Sequence, residues 1–207
     1  MATRKAPPTW AAYQASIGDR SALFAALAQR WRIDSALYPG CYLDLSPSTA
    51  IADVTYVDID KRAARYFSSP GLADQELRGH GVEDERQFAF IHADYSTPLP
   101  IPERSVDLLI SLYAGLVTES CRRYLKDGGL ILANASHGDA SLAALDPTFA
   151  FVAAVLHDDH DFRIDATDLD TYLVPRSRST PTPESIRASG RAVPYTREAF
   201  AYVFRAR

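Results

Sequence analysis

Glycine and carboxylate side chains follow successive apolar runs in the first half of the sequence. Gly40 follows the first run, Asp58 ends the second, and Asp94 follows the third. A glycine lets the backbone approach a ligand closely, and a carboxylate at the end of a second strand holds a ribose diol in doubly wound folds. The order of these residues therefore predicts a site for a nucleoside-containing ligand.

Short apolar runs alternate with helical stretches in the same half of the chain. The runs predict strands at 36–38, 54–57, 88–91, 106–110 and 130–133, with helices at 61–67 and 118–126. A continuously apolar run such as 106–110 is typical of a parallel strand that is buried on both faces. We predict a doubly wound, mostly parallel α/β sheet of about seven strands, with helices on both faces. The ends of its parallel strands then lie at one edge, where ligands bind.

The two ends of the chain are less regular. Residues 1–9 predict a loose arm, and an apolar face at helical spacing predicts a helix near Asp19, with Asp19 or Ser21 as its cap. Asp146 and Pro147 favour the start of a second helix, which carries its apolar face to Leu156. We also expect a strand at 172–174, a long loop at 175–194 and a last strand at 201–205. The expected organisation is one domain over 1–207, with an arm and helix at 1–34, a ligand-binding core at 35–135 and a C-terminal part at 136–207.

Composition narrows the class of protein. The chain has 207 residues, a net charge of −4 and two cysteines, and 47% of its residues are hydrophobic. The charge argues against a nucleic-acid binder, and two cysteines do not make a disulfide framework. The sequence contains neither an apolar run of membrane-spanning length nor a secretory signal, so we expect a cytoplasmic protein without a membrane partner.

About half of the sequence resembles the class I S-adenosylmethionine (SAM)-dependent methyltransferases. The resemblance covers about residues 35–135, and its most specific parts are LPIPERSVDLLIS at 99–111 and YLKDGGLIL at 124–132. In that family a glycine-rich turn follows strand one, an acidic residue ends strand two and an Asp follows strand three. The family implies a Rossmann-like fold with SAM as the cofactor.

Cofactor-binding residues are carried over from this resemblance by position. Gly40 and its neighbours would face the methionine part of SAM, Asp58 would bind the ribose hydroxyls, and Asp94 and Tyr95 would lie at the adenine. The sequence departs from the family at Tyr38, where an acidic residue is usual, and at Tyr42 and Asp44, where bare backbone is usual. The full expected cofactor-binding set is Tyr38, Gly40, Cys41, Tyr42, Asp58, Ile59, Asp94, Tyr95 and Ser111.

Candidate catalytic residues follow strands four and five. They are Tyr113, Asn134 and His137, which suit the positioning of a methyl acceptor or removal of its proton. Ser136, His137 and Asp139 are too close in sequence to be identified as a catalytic triad without geometry. The segment His157–His160 is better explained as a solvated helix end than as a metal site, so we expect no metal.

Different functions remain open for this sequence. The first is a SAM-dependent methyltransferase that acts on a small-molecule acceptor. The absence of an Asn-Pro-Pro-Tyr motif after strand four argues against a nucleobase amine as that acceptor. A catalytically silent binding or scaffold protein is the second, and a SAM-binding enzyme of different chemistry is the third. Fold alone does not choose among them, and the sequence does not set the oligomeric state.

Overall fold

The core of the molecule is an eight-stranded mixed sheet in the order β3-β2-β1-β4-β5-β8-β6-β7. The computed structural model describes residues 8–83, 86–158, 161–177 and 181–207. Five strands pair in parallel: β1 (Ser35–Pro39), β2 (Asp53–Asp58), β3 (Gln87–His92), β4 (Val106–Ser111) and β5 (Leu125–Ala133). Three antiparallel strands extend the sheet beyond β5, namely β6 (Phe149–Asp158), β7 (Asp161–Asp165) and β8 (Ala201–Ala206).

Helices cover both faces of the sheet, as expected for a doubly wound fold. One face carries α1 (Trp10–Ile17), α2 (Ser21–Arg30), α3 (Lys61–Phe67) and α4 (Leu72–Gly79), whose buried residues share one apolar core. The other carries α5 (Val117–Cys121) and α6 (Asp139–Leu145) over a second core, and α7 (Pro183–Ser189) packs on the start of α6. The predicted fold class is therefore confirmed, with eight strands in place of about seven.

The helix predicted from Asp146 and Pro147 is wrong, because this segment forms β6. Asp146 accepts a hydrogen bond from the backbone N–H of Thr148 at 2.9 Å, which makes a tight turn and not a helix cap. Its carboxylate also pairs with Arg122 at 2.6 Å. Residues Phe149 to Val155 pair with β8, with a register shift between Phe151 and Ala153. Tertiary strand pairing thus overrides an apolar pattern that also fits a helix.

The expected loop at 175–194 contains α7 within its described part. Thr182 caps this helix through a reciprocal hydrogen-bond pair with Ser185, and Pro183 occupies the first turn. Ile186 is buried against Gly138. The predicted strand at 172–174 is also wrong, because a 3-10 turn over Leu169–Thr171 precedes that segment.

The helix predicted at 118–126 is shorter in the structure. Helix α5 ends at Cys121, a 3-10 turn follows over Arg122–Tyr124, and β5 already begins at Leu125. The Lys-Asp-Gly-Gly segment therefore lies within a long strand. None of the helices in the described ranges is both long and apolar enough to cross a membrane.

The Glu76 carboxylate connects the start of helix α1 to helix α4. Glu76 of α4 accepts hydrogen bonds from the backbone N–H groups of Trp10 and Ala11 at 3.0 and 3.1 Å, and from the Tyr66 hydroxyl at 2.5 Å. The first N–H groups of a helix have no partner within the helix, so this acceptor stabilises its start. The expected arm at 1–9 lies mostly outside the described residues, and Trp10 already begins α1.

We predict that Glu76→Ala lowers the free energy of unfolding by about 1–3 kcal/mol, since it removes a charged acceptor from several donors. Chemical denaturation of wild type and variant measures this difference. Glu83→Ala is the matched control, because Glu83 is exposed and its loss should cost about 0.5 kcal/mol or less. Equal stability of the two variants would contradict the role of Glu76.

Candidate functional site

The turn after β1 lies directly against the turn after β4. Gly40 has a φ of +67°, and its N–H donates to the Val57 carbonyl at 2.7 Å. A Cβ atom at Gly40 would lie 2.3 Å from the Cβ of Ala114. The strand order reverses between β1 and β4, which is where ligands bind in open α/β sheets. Because Gly40 has no side chain, Ala114 can pack against it. A ligand at this point would lie on the outer side of both turns.

Asp58 connects this turn to the end of β2. One carboxylate oxygen accepts the Tyr42 N–H at 2.7 Å, and the other accepts the Asp60 N–H at 2.7 Å. A carboxylate has about four lone-pair positions, so each oxygen can accept one further hydrogen bond. The Ile59 side chain beside it is 66% exposed. This pair presents an anionic and an apolar surface side by side at the edge of the sheet.

Tyr42 does not turn towards β4. Its backbone has a φ of +46°, and its ring packs edge-on against Tyr13 of α1 with the centroids 4.9 Å apart. The Arg62 guanidinium lies 5.1 Å from the centroid of the same ring. The side chain that replaces a family glycine is therefore packed between α1 and α3.

The turn after β3 carries Asp94 and Tyr95. Asp94 is exposed, and the backbone N–H of Ser96 donates to it at 2.9 Å, which lowers the pKa of the carboxyl and keeps it anionic at neutral pH. The Tyr95 hydroxyl donates to the Ala114 carbonyl. The turns after β1, β3 and β4 are thus joined through Ala114.

Three of the predicted cofactor-binding residues are buried. The Cys41 thiol is enclosed, and burial raises its pKa well above the usual range, so it is a neutral thiol. Ser111 donates through its hydroxyl to Asp139 at 2.5 Å. Tyr38 donates to Asp44 at 3.1 Å. These three buried side chains pack beneath the site. Asp58, Ile59 and Asp94, in contrast, are accessible at its surface.

Asp139 is a buried carboxylate that holds β4, α5 and α6 together. In addition to Ser111, the Thr118 hydroxyl donates to it at 2.8 Å and the Thr118 N–H at 3.1 Å. Burial raises the pKa of Asp139, and the bonds from Ser111 and Thr118 oppose that rise. His137 bonds to Ser136 in this structure, so the described contacts of Asp139 do not form a Ser-His-Asp relay.

A cavity of about 410 Å³ lies beyond the ends of β4 and β5. Its walls come from the turns after these strands, from the segment that follows α7 and from the start of β8. The lining side chains are mostly apolar and aromatic, as in small-molecule sites of this size. They are Tyr113, Asn134, Ala135, Ser136, Ala192, Val193, Pro194, Tyr195, Glu198, Ala199, Phe200 and Tyr202.

A hydrogen-bond chain links the predicted catalytic residues. Tyr113 and Asn134 line this cavity, whereas His137 is exposed and is not among its lining residues. The Tyr113 N–H and the Ser136 hydroxyl both donate to the Asn134 side-chain oxygen, at 3.3 and 2.9 Å. Ser136 has only one proton to give, so Nδ1 of His137, 2.9 Å from the Ser136 oxygen, must be the donor in that pair. The other ring nitrogen of neutral His137 then carries a free lone pair and can accept a proton.

Arg20 and Asp44 form a buried ion pair that the sequence analysis missed. The Arg20 guanidinium donates to Asp44 at 3.1 Å and to the Tyr38 hydroxyl at 3.5 Å, and the Ser46 N–H donates to the other Asp44 oxygen at 3.0 Å. Burial opposes the charge of Arg20, but Tyr38 and Asp44 outweigh that effect and raise its pKa. Asp44 thus places a buried carboxylate, paired with Arg20, beside the Tyr38 hydroxyl.

Two arginines near α7 form ion pairs, one of them with a residue that lines the cavity. Arg187 forms an ion pair with Glu119 of α5 at 2.6 Å, and Arg176 pairs with Glu198 at 2.8 Å. Arg178 lies outside the described residues. The segment after α7 also walls the cavity through Val193 and Pro194.

The residues suggested as a possible metal site do not assemble one within the described ranges. His157 stacks on Phe162 with the ring centroids 4.2 Å apart, and it belongs to β6 and not to a helix end. Asp159 and His160 lie outside the described residues. No cluster of three or more His, Cys, Asp or Glu side chains that could hold a metal ion occurs in the part of the chain that the structure describes.

Solved methyltransferase structures share this architecture. A Klebsiella pneumoniae protein described as an O-methyltransferase is 12% identical with a TM-score of 0.50, over 71% of this chain and 77% of that one. N-methyltransferase NodS from Bradyrhizobium japonicum is 11% identical with a TM-score of 0.49, over 94% and 96%. YcgJ from Bacillus subtilis is 20% identical with a TM-score of 0.41, and this chain spans only 54% of its length.

These likenesses concern the fold. No protein-family model and no curated protein sequence matches the chain. The strand order and the Klebsiella structure together show that the chain has the fold of the class I SAM-dependent methyltransferases. The resemblance drawn from the sequence is therefore confirmed at the level of the fold.

We predict that Gly40→Ala destabilises the protein more than Gly71→Ala. Both glycines have nearly the same φ, +67° and +68°, but a Cβ at Gly71 meets nothing within 4 Å. Gly71→Ala should therefore lose only the backbone term of about 1–2 kcal/mol, and Gly40→Ala about 1–3 kcal/mol more from the clash with Ala114. Thermal and chemical denaturation measure both values.

A second substitution isolates the clash. Ala114→Gly in the Gly40→Ala background removes the obstructing methyl group and should recover part of the lost stability. If the double variant is no more stable than Gly40→Ala alone, then the clash with Ala114 is not the cause of the lost stability.

Proposed function

We propose that the protein is a SAM-dependent methyltransferase that acts on a small-molecule acceptor. The observation that carries this proposal is the position of Asp58, which is held beside the Gly40 turn at the reversal of strand order and keeps free acceptor positions. A carboxylate at this point suits the two hydroxyl groups of a ribose. Ile59 and Asp94 flank it and suit the adenine, with an apolar surface and an acceptor for its amino group.

The residues present fit SAM at its nucleoside end. Asp58, Ile59 and Asp94 are all accessible, whereas Tyr38, Cys41 and Ser111 are buried and would act only indirectly. The structure of NodS includes a complex with S-adenosylhomocysteine (SAH), the demethylated product of SAM, which agrees with a nucleoside ligand on this architecture. When bound, SAM supplies an electrophilic methyl group on a sulfonium.

The cavity beyond β4 and β5 is the proposed acceptor site. Its aromatic walls exclude water and orient an apolar body, and Asn134 and Tyr113 offer polar groups at its inner end. His137 is the proposed general base for an acceptor whose attacking atom carries a proton, because its outer ring nitrogen is left free by the Ser136 contact. These residues position the acceptor and remove its proton.

A silent binding protein is the second candidate function. The observation that favours it is that Ala114 packs against the turn after β1, which carries the single glycine Gly40 where the family usually has several. Calorimetric titration with SAM and with SAH separates the two functions. Binding of both ligands supports the methyltransferase, and the absence of binding at millimolar ligand supports the scaffold.

Asp58→Ala should weaken SAM and SAH binding by about 1.5–3 kcal/mol, the scale of hydrogen bonds to a charged group. Asp53→Ala is the matched control, since Asp53 is exposed at the opposite end of the same strand. Circular dichroism checks that both variants are folded. Wild-type affinity in folded Asp58→Ala would remove this residue from the proposed cofactor site.

His137→Gln should lower turnover by about 10²–10⁴-fold with an acceptor that must lose a proton, and leave SAH affinity unchanged. A panel of hydroxyl, amine and thiol acceptors identifies a working substrate, and methyl transfer is then measured by mass spectrometry. Unaltered turnover in the variant would show that the proton leaves by another route.

A further inference from the structure

Arg20 is a buried cation with donors that have no partner. Only 6% of its surface is exposed, and only its Nη1 atom donates hydrogen bonds, to Asp44 and Tyr38. Among the described residues, Nε has no partner although it is enclosed, and Nη2 makes no hydrogen bond either. A buried donor without an acceptor destabilises the fold, so an arrangement of this kind requires a reason.

The two unpartnered atoms lie on the same edge of the guanidinium. The hydrogens on Nε and Nη2 point in parallel, which is the fork that binds the two oxygens of one carboxylate. Asp44 and Tyr38 occupy the opposite nitrogen and hold the group in position. Because Asp44 already balances the charge, the free edge adds a binding site without leaving a lone buried charge in the unliganded protein.

The Arg20 guanidinium lies beside two residues of the proposed acceptor cavity. Its carbon is 5.3 Å from the centroid of the Tyr113 ring and 6.0 Å from that of Phe200, and both aromatic residues line the cavity. Tyr113 is 52% exposed and sits on a turn with a φ of +61°. A ligand in the cavity is therefore separated from the Arg20 guanidinium by one aromatic ring.

We propose that Arg20 binds a carboxylate through its Nε and Nη2 atoms, with Asp44 and Tyr38 as positioning residues. The proposal rests on the methyltransferase function proposed above. Two sources supply a carboxylate at this point: the methionine end of SAM, or an acidic acceptor in the cavity. An ion pair that serves only to support the fold is the structural alternative.

The first experiment separates these sources with Arg20→Lys, which keeps the charge beside Asp44 and removes the fork. Calorimetry compares SAH with 5′-methylthioadenosine, which has the same nucleoside but no carboxylate. If the cofactor supplies the carboxylate, SAH should bind about 10- to 100-fold more weakly to the variant, with 5′-methylthioadenosine unchanged. Arg122→Lys, in a distant ion pair with Asp146, is the matched control and should bind both ligands as wild type does.

The second arm uses benzoate as an aromatic carboxylate, titrated into the SAH complex of each protein. If the acceptor supplies the carboxylate, SAH affinity stays the same in Arg20→Lys and benzoate binding falls about 10-fold or more. Wild-type affinity of the variant for both SAH and benzoate would overturn the proposal and leave Arg20 as a structural residue.

A measurement on the unmodified protein covers the case in which Arg20→Lys does not fold. The Nε–H resonance of Arg20 in the arginine NMR spectrum should shift and become protected from exchange when SAH or benzoate is added. If wild type binds no SAH, the proposed function fails, and benzoate alone decides the role of Arg20. An Nε–H resonance that neither probe moves would overturn the carboxylate site.

Discussion

The pairing of β1 with both β2 and β4 is the constraint on which the site depends. These are parallel contacts, so the three strands end at the same edge, and the connections leave that edge towards opposite faces of the sheet. The turns after β1 and β4 are then brought together with no covering helix between them. Gly40 and Ala114 meet there because the register allows no other spacing. The accessible carboxylates and the cavity are arranged around this point.

Two buried carboxylates stabilise this edge from opposite faces of the sheet. Asp44 lies on the face of α1 and α2, where its charge is balanced by Arg20. Asp139 lies on the face of α5 and α6 and is satisfied by hydroxyl and backbone donors without a counter-ion. A buried carboxylate needs such partners because desolvation disfavours its charged form. Removal of a donor from either set therefore leaves an unsatisfied acceptor at the base of the site.

The parallel half of the fold could be predicted because its strands are continuous apolar runs that end at turn residues. The position of Asp58 at the end of β2 follows from the same pattern, and the structure has it there. Strand β6 could not be recognised, since its apolar residues also fit helical spacing and its identity depends on pairing with β8. The residues Thr182, Pro183 and Ser185 form the cap of helix α7 and are a local signal for a helix start. The polar composition of the segment favoured a loop instead.

Arg20 and Asp44 had no local signal at all. They are 24 residues apart in sequence, and neither belongs to a periodic apolar pattern. Only the packing of α1 and α2 over the end of β1 brings them together. A motif identifies residues that are near Tyr38 in sequence, and not a distant residue such as Arg20 that contacts it in the fold.

The walls of the cavity come from a different part of the chain than the carboxylates beside Gly40. Most of the lining residues fall between Ala192 and Tyr202, on an antiparallel extension that the parallel strands do not require for their own order. Sequence change in this short stretch alters the shape of the cavity and leaves Asp58 and its turn in place. The cavity and the edge that carries Gly40 and Asp58 can therefore change in sequence independently of each other.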